Sequence, residues 1–297
     1  MNRLDTLPPL REIISTHGLN ARKELGQNFL LDLNLTKRIA RASGDLKGIT
    51  VIEVGPGPGG LTRSLLAAGA KKVVAIEKDK RLLPALQQIK EASDGRMEFI
   101  IADALEMDYT KLADGPTRII ANLPYNIATP LLSNWLTKGN WPPFFQSMTL
   151  LFQKEVAQRI CAPAGSKSFG RLGVLCGWRT NAHISFDINA SAFTPAPKVT
   201  SSLVHLVPKP DARIVEVELL EDVTRAAFGQ RRKMIRQSLK TLGISVEELL
   251  NATGLLGTER AETLSISTFL DIAEHLEKTR QNTYQDKIHQ PTGKQIS

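Results

Sequence analysis

Two cysteines in 297 residues leave no disulfide framework and too few thiolates for a cysteine metal cluster. Cys161 and Cys176 both stand among apolar neighbours, which suits packing better than redox chemistry. The five histidines, at positions 17, 183, 205, 275 and 289, show no i, i+4 pair and no cysteine partner, so no metal is expected. No apolar run reaches the roughly 18 to 20 residues that a membrane-spanning helix needs. The N-terminus, interrupted by Asp5, Pro8, Pro9 and Arg11, lacks the apolar core of a signal peptide, and a cytoplasmic protein is expected. Acidic residues are the minority charge: 38 Lys and Arg against 30 Asp and Glu give a net +8. That balance favours a polyanionic partner through steering and counterion release.

What the chain does have is glycine in one telling place. The β-rich run Thr50-Val51-Ile52-Glu53-Val54 enters Gly55-Pro56-Gly57-Pro58-Gly59-Gly60 and then a helical pattern through Ser64, Leu65, Leu66 and Ala67. This is the opening of a βαβ nucleotide-binding unit, with Gly55, Gly57 and Gly60 fitting G-x-G-x-x-G. Glu77 ends the next strand-like run, Lys72 to Ile76, where an acid can accept both ribose hydroxyls of an adenosine. Pro56 and Pro58 each remove an N–H from the loop that would cradle a pyrophosphate, so the turn suits a phosphate-free ligand. S-adenosylmethionine carries adenosine and an amino acid without phosphates. Asp103, after Phe99-Ile100-Ile101-Ala102, places a carboxylate at the adenine end of such a ligand, although alone it reads as an ordinary helix cap.

The run Arg118-Ile119-Ile120-Ala121 ends in Asn122-Leu123-Pro124-Tyr125. An adenine amino group is a poor nucleophile because its lone pair is delocalised into the ring. An enzyme acting on it needs close hydrogen-bond acceptors and a flat surface. The Asn122 side-chain oxygen and a nearby backbone carbonyl can accept from an N–H2, and Tyr125 can stack on the base. A strand end with a Pro turn and a buried Tyr is the bland alternative, and context decides between them.

Gly55-x-Gly57, Glu77, Asp103 and Asn122 to Tyr125 follow four successive strand-like segments in class I methyltransferase order. The chain resembles the bacterial small-subunit rRNA adenine N6,N6-dimethyltransferases, from about residue 10 to about residue 275. Leu25-Gly26-Gln27-Asn28-Phe29-Leu30, Phe193-Thr194-Pro195-Ala196-Pro197-Lys198-Val199-Thr200-Ser201 and Phe228-Gly229-Gln230-Arg231-Arg232-Lys233 carry the rest of the likeness. The resemblance implies an α/β Rossmann-like sheet with a small C-terminal helical domain, and S-adenosyl-L-methionine as cofactor. It implies that Asn28 and Leu30 contact the methionine end of the cofactor, Gly55 lies underneath, and Asn122 lies between both ligands. The carbonyl of Leu123 accepts from the target amino group beside Asn122, and Pro124 shapes that corner. Phe193 faces the target base opposite Tyr125. The implied substrate is two adjacent adenines in a hairpin near the 3′ end of 16S rRNA, within a precursor of the small ribosomal subunit.

The expected domains are residues 1–208 for catalysis, with an N-terminal extension over 1–27, and 209–278 for a helical RNA-binding domain; a disordered tail is expected over 279–297. A fifth strand is expected at 147–153, a hairpin from strands near 183–188 and 202–207, and a mobile loop at 163–171. From Arg225 to Lys240 six basic residues occur with no acidic one, and Phe228, Ile235, Leu239 and Leu242 share a helical stripe. Arg225, Arg231, Arg232, Lys233 and Arg236 are therefore expected to meet RNA backbone. Nothing in the pattern demands more than a monomer. A nicotinamide dehydrogenase, a resistance methyltransferase acting on large-subunit rRNA, and an assembly-checking binding protein are the rival readings.

Overall fold

The computed structural model describes residues 3–289, which divide into two compact units: residues up to 158 with 180–210, and 159–179 with the residues from 211 on. Residues 159–179 thus group with the second unit rather than with the catalytic domain that the sequence assigned them to.

The first unit begins with α1 (Leu10–Thr16), β1 (Phe29–Leu30) and α2 (Leu33–Ala42). Asp32 caps α2 by accepting from the Asn34 N–H at 2.8 Å, and the chain turns out through Gly44 at φ +83°. Then β2 (Thr50–Val54), α3 (Gly60–Ala67), β3 (Lys72–Glu77), α4 (Leu83–Ala92), β4 (Met97–Ile101), β5 (Thr117–Ala121), α5 (Tyr125–Thr137) and β6 (Ser147–Gln153) follow, and α6 (Lys154–Ile160), whose last two residues group with the second unit. β7 (Thr180–Ile188), β8 (Phe193–Thr194) and β9 (Ser201–Pro208) complete it.

The main sheet has the order β4-β3-β2-β5-β6-β9-β7. Its first five strands are parallel, while β9 lies antiparallel between β6 and β7. β2 is buried along its whole length, as a central parallel strand covered on both faces must be. The chain leaves β2 toward β3 on one side and returns as β5 on the other. That switch point opens a crevice beyond the carboxyl ends of the strands, and β2, β3, β4 and β5 end there in Glu53-Val54, Glu77, Ile101 and Ala121.

Leu4, Ile13 and Leu19 pack into the same hydrophobic cluster as Ile39, Leu65, Leu86 and Val73, so the N-terminal extension belongs to the core of this unit. β1 pairs antiparallel with β8, Leu30 opposite Phe193 and Phe29 opposite Thr194. This two-residue pairing joins two sequence stretches separated by most of the chain.

The second unit contains α7 (Arg171–Arg179), α8 (Val217–Gly229), α9 (Ile235–Ser238), α10 (Val246–Thr253) and α11 (Ile266–His289) around Phe169, Val223, Leu239, Leu249 and Phe269. The helical spacing of Phe228, Ile235, Leu239 and Leu242 is not carried by one helix: α8 stops at Gly229, residues 230–234 turn, and the chain then runs through α9 into a 3-10 turn. The 163–171 loop is also fastened rather than free. Phe169 is fully buried against Phe228 and Phe269, and the Gly165 N–H donates to the Glu262 carbonyl at 2.7 Å. At the C-terminus α11 continues past residue 278 to His289, where a disordered tail was expected. Arg280 reaches Asp222 at 3.1 Å and Gln281 donates to Glu277 at 3.2 Å, which supports the added turns. Positions 290–297 of that tail lie outside the described residues.

Candidate active site

A cleft in the first unit is lined by Asn28, Leu30, Gly55, Glu77, Asp103 and Asn122 together with Leu123, Pro124 and Tyr125. All of the expected cofactor positions, and four of the five expected catalytic ones, therefore meet at the carboxyl ends of the parallel strands. Phe193 does not. It is 3 % exposed in the hydrophobic cluster behind Leu30 and is not among the residues lining the cleft. Its pairing with Leu30 gives it a place in the wall that carries Asn28 and Leu30, and in this conformation its face is covered.

The glycine turn has little left to offer a phosphate. Gly55 donates to the Ile76 carbonyl at 2.9 Å, Gly59 to the Pro56 carbonyl at 2.9 Å, and Gly57 to the Glu77 carboxylate at 3.4 Å. Pro56 and Pro58 have no N–H. The turn is instead built for close approach. Gly55 has φ +69°, and a Cβ there would stand 3.1 Å from Pro124 Cδ; a Cβ on Gly60 would stand 2.6 Å from the Leu30 carbonyl oxygen.

Three carboxylates, those of Glu24, Glu77 and Asp103, line the cleft against one ammonium, Lys78, and Glu53 adds a carboxyl group whose burial keeps it protonated at neutral pH. Such a wall favours a cationic ligand over an anionic one. Glu77 Oε1 accepts from the backbone N–H groups of Lys78 and Asp79 at 2.9 and 2.8 Å, which fixes its orientation. Burial nevertheless raises its pKa, against these hydrogen bonds. Asp103 accepts from Lys78 Nζ at 2.7 Å and from the Leu105 N–H at 3.0 Å, and the Lys78 hydrogen bond holds its carboxyl below the usual range.

Asn122 leaves β5 with its side-chain amide donating to the Asn28 carbonyl at 2.9 Å. With the amide nitrogen so engaged, the side-chain oxygen is the end left to accept. Asn28 is itself fastened: its side chain donates to the Gly26 carbonyl at 3.2 Å, and the neighbouring Gln27 bridges two partners. Gln27 Oε1 accepts from the Arg22 N–H at 2.8 Å, and its Nε2 donates to Asp79 at 3.1 Å. Burial would raise the Asp79 pKa, but hydrogen bonds from Arg81 and Gln27 hold it below the ordinary value. Tyr125 opens α5, half-buried, with its hydroxyl 2.5 Å from that of Ser201.

Sequence reasoning missed Glu53, Gln27 and Ser201. Glu53 lies inside the apolar run of β2 and is 1 % exposed, with Thr62 donating to it at 2.6 Å. A charged residue inside a fully buried strand was the available signal. Burial pushes its carboxyl up to about 8, with the Glu77 charge adding to the rise.

In the second unit the expected RNA contacts separate into two groups. Arg225 pairs with Asp222 at 3.2 Å, Arg231 with Glu262 at 2.8 Å, and Arg236 with Glu247 at 3.7 Å. Arg232 and Lys233 are exposed on the turn after α8, and neither side chain has an ion pair among the described residues. Burial raises the thiol of Cys161 to about 11, and that of Cys176 also upward. Among the described residues no group of three or more His, Cys, Asp or Glu side chains is placed to hold a metal ion. No described helix is long and apolar enough to cross a membrane.

Comparison with solved structures assigns the fold to the class I methyltransferases. A dimethyladenosine transferase from Plasmodium falciparum superposes with a TM-score of 0.74 at 24% identity, covering 84% of this chain and 97% of that one. The 23S rRNA methyltransferase ErmE gives 0.64 at 24% identity, covering 84% and 100%. In sequence, a protein of Xanthobacter autotrophicus called ribosomal RNA small subunit methyltransferase A is 60% identical over 274 residues, 92% of this chain and 95% of its own length. The family model for ribosomal RNA adenine dimethylase matches residues 18–278, and the chain belongs to that family.

Proposed function

We propose that this chain uses S-adenosyl-L-methionine to dimethylate N6 of two adjacent adenines in a hairpin near the 3′ end of 16S rRNA, as a cytoplasmic monomer acting on small-subunit precursors. The observation that carries the reading is the corner at Asn122, where the amide nitrogen is tied to the Asn28 carbonyl and the side-chain oxygen is left to accept, in a cleft shared with Tyr125 and the glycine turn. The cleft fits the cofactor on three counts: the N–H groups of Gly55, Gly57 and Gly59 are already bonded, the walls are anionic, and Glu77 is held by backbone N–H groups where a diol can donate to it.

When bound, S-adenosylmethionine supplies a methyl carbon activated by a sulfonium. Asn28 and Leu30 would hold its amino-acid end, Gly55 would lie beneath, Glu77 would take the ribose hydroxyls, and Asp103 the adenine. The Asn122 side-chain oxygen and the Leu123 carbonyl accept from the target N6–H2 and draw the lone pair out of the ring toward the methyl donor. Tyr125 gives the base a flat support. No residue of the corner has to act as a strong base, because an N-methylated cationic adenine is acidic enough to lose its proton to water. Most of the rate enhancement comes from alignment.

Calorimetric titration tests the ligand assignment. We expect S-adenosylmethionine to bind and a nicotinamide dinucleotide to give no heat. Glu77→Ala should weaken cofactor binding by about tenfold or more, because a charged hydrogen-bond partner is lost. Unchanged affinity would remove Glu77 from the site.

In the second unit we assign backbone contact chiefly to Arg232 and Lys233, since Arg225, Arg231 and Arg236 already have acidic partners. Changing Arg232 and Lys233 together to Ala should weaken particle binding and flatten its salt dependence by about one to two in the log–log slope. Cofactor binding should stay as it was. A slope equal to the parent's would count against both residues.

A further inference from the structure

We infer that Ser201 is a positioning residue for methyl transfer: its hydroxyl fixes the plane of the Tyr125 ring, and through that plane governs whether the second methyl is added. The inference rests on reading Tyr125 as the support for the target base.

Ser201 opens β9 and is fully buried, paired in register with Gln153 of β6 and Ile188 of β7. It therefore stands where three hydrogen-bonded strands meet. Tyr125 begins α5 directly after Pro124, whose ring holds φ at −55°. A tyrosine side chain has only two torsions between its backbone and its hydroxyl. With the backbone held in the first turn of α5 and the hydroxyl 2.5 Å from Ser201 Oγ, both ends of the ring are tied. Burial raises the Tyr125 pKa, so the phenol stays protonated at neutral pH and serves as an anchor, not as a proton acceptor.

Dimethylation makes a demand that monomethylation does not. On the second pass the adenine must present its remaining N–H to the acceptors of Asn122 and Leu123 with the first methyl group turned away. A support that swivels still allows a first transfer from an amino group with two hydrogens, either of which serves. With one hydrogen left, the same looseness misplaces the lone pair in a larger share of encounters. The hydroxyl pair thus bears more heavily on the second transfer than on the first.

The test uses the full chain, unmethylated small ribosomal subunits and labelled S-adenosylmethionine, with nucleoside analysis of the product and calorimetry of cofactor binding. Ser201→Ala should bind cofactor within about twofold of the parent, slow the first transfer by less than about tenfold, and leave N6-methyladenosine as a major product where the parent leaves little. Tyr125→Phe breaks the same bond from its other end and should give the same product ratio. The double variant should be no worse than either single one, because only one interaction is lost. Ser201→Thr, which retains the hydroxyl, should restore the parent ratio. A parent-like ratio in both single variants, or additive losses in the double, would overturn the role of Ser201. Failure of the parent to make any methylated adenosine would overturn the reading of the site on which it rests, and the two failures are told apart in one experiment.

Discussion

Asn122→Ala should lower turnover by about 100-fold or more while cofactor affinity changes by less than about tenfold, since lost alignment of reacting groups costs this much. The side chain has two ends with separate tasks. Its nitrogen ties β5 to the Asn28 carbonyl, and its oxygen is left to accept from the target amino group. Removing both at once loses one neutral hydrogen bond behind the cofactor segment, worth about 1 kcal/mol, and the acceptor that draws the adenine lone pair out of conjugation. The first loss is small because Gln27 still holds that segment to Asp79 and to the Arg22 N–H. The second acts only when the base is in place. Single-turnover rates together with calorimetric affinities separate the two. Turnover close to that of the parent would remove Asn122 from the chemistry, and an affinity loss as large as the rate loss would make it a cofactor residue alone.

Glu53→Gln should make the ligand-free protein more stable than the parent at alkaline pH and leave the two alike near pH 5. The Glu53 carboxyl is fully buried, and its pKa is raised from an ordinary 4.5 to about 8. In the unfolded chain it ionises at the lower value, so between about 4.5 and 8 the folded state holds a proton that the unfolded state has released. Stability from this group is therefore fully present below the unfolded pKa and declines as pH rises toward the folded one. The full gap corresponds to a few kcal/mol. Glutamine keeps an acceptor for Thr62 and does not titrate. Thermal unfolding followed from pH 5 to pH 9 should show the two melting curves diverging by several degrees as pH rises. Parallel curves would mean that Glu53 is ionised in the folded protein, with a partner for its charge yet to be found.

Much of this site can be read from the residues in order. Gly55 to Gly60, Glu77, Asp103 and Asn122 to Tyr125 each end a strand with a clear apolar pattern, and the switch point between β2 and β5 brings those ends together. Asn28, Leu30 and Phe193 were legible only through likeness to a family. The reason is physical: β1 and β8 are two residues long, too short to show any period, and their pairing depends on the rest of the core being formed. That pairing also explains why Phe193 is turned into the wall. Gln27 and Ser201 were hidden because each acts through a partner distant in sequence, Asp79 in one case and Tyr125 in the other. The break after Gly229 escaped notice because the apolar residues on either side keep helical spacing across the turn. The acidic partners of Arg231 and Arg236 lie outside the basic stretch, in Glu262 and Glu247, so they offered no local sign that these cations are engaged.

Methylation of adenine in small-subunit rRNA at the Asn122 corner can be tested directly on ribosomal subunits. Labelled S-adenosylmethionine should be given to the full chain with unmethylated small subunits, large subunits and DNA in parallel, and each product digested to nucleosides. N6,N6-dimethyladenosine should appear in the small-subunit rRNA alone. Label in large-subunit rRNA, or tight binding to small subunits with no label transferred, would contradict it.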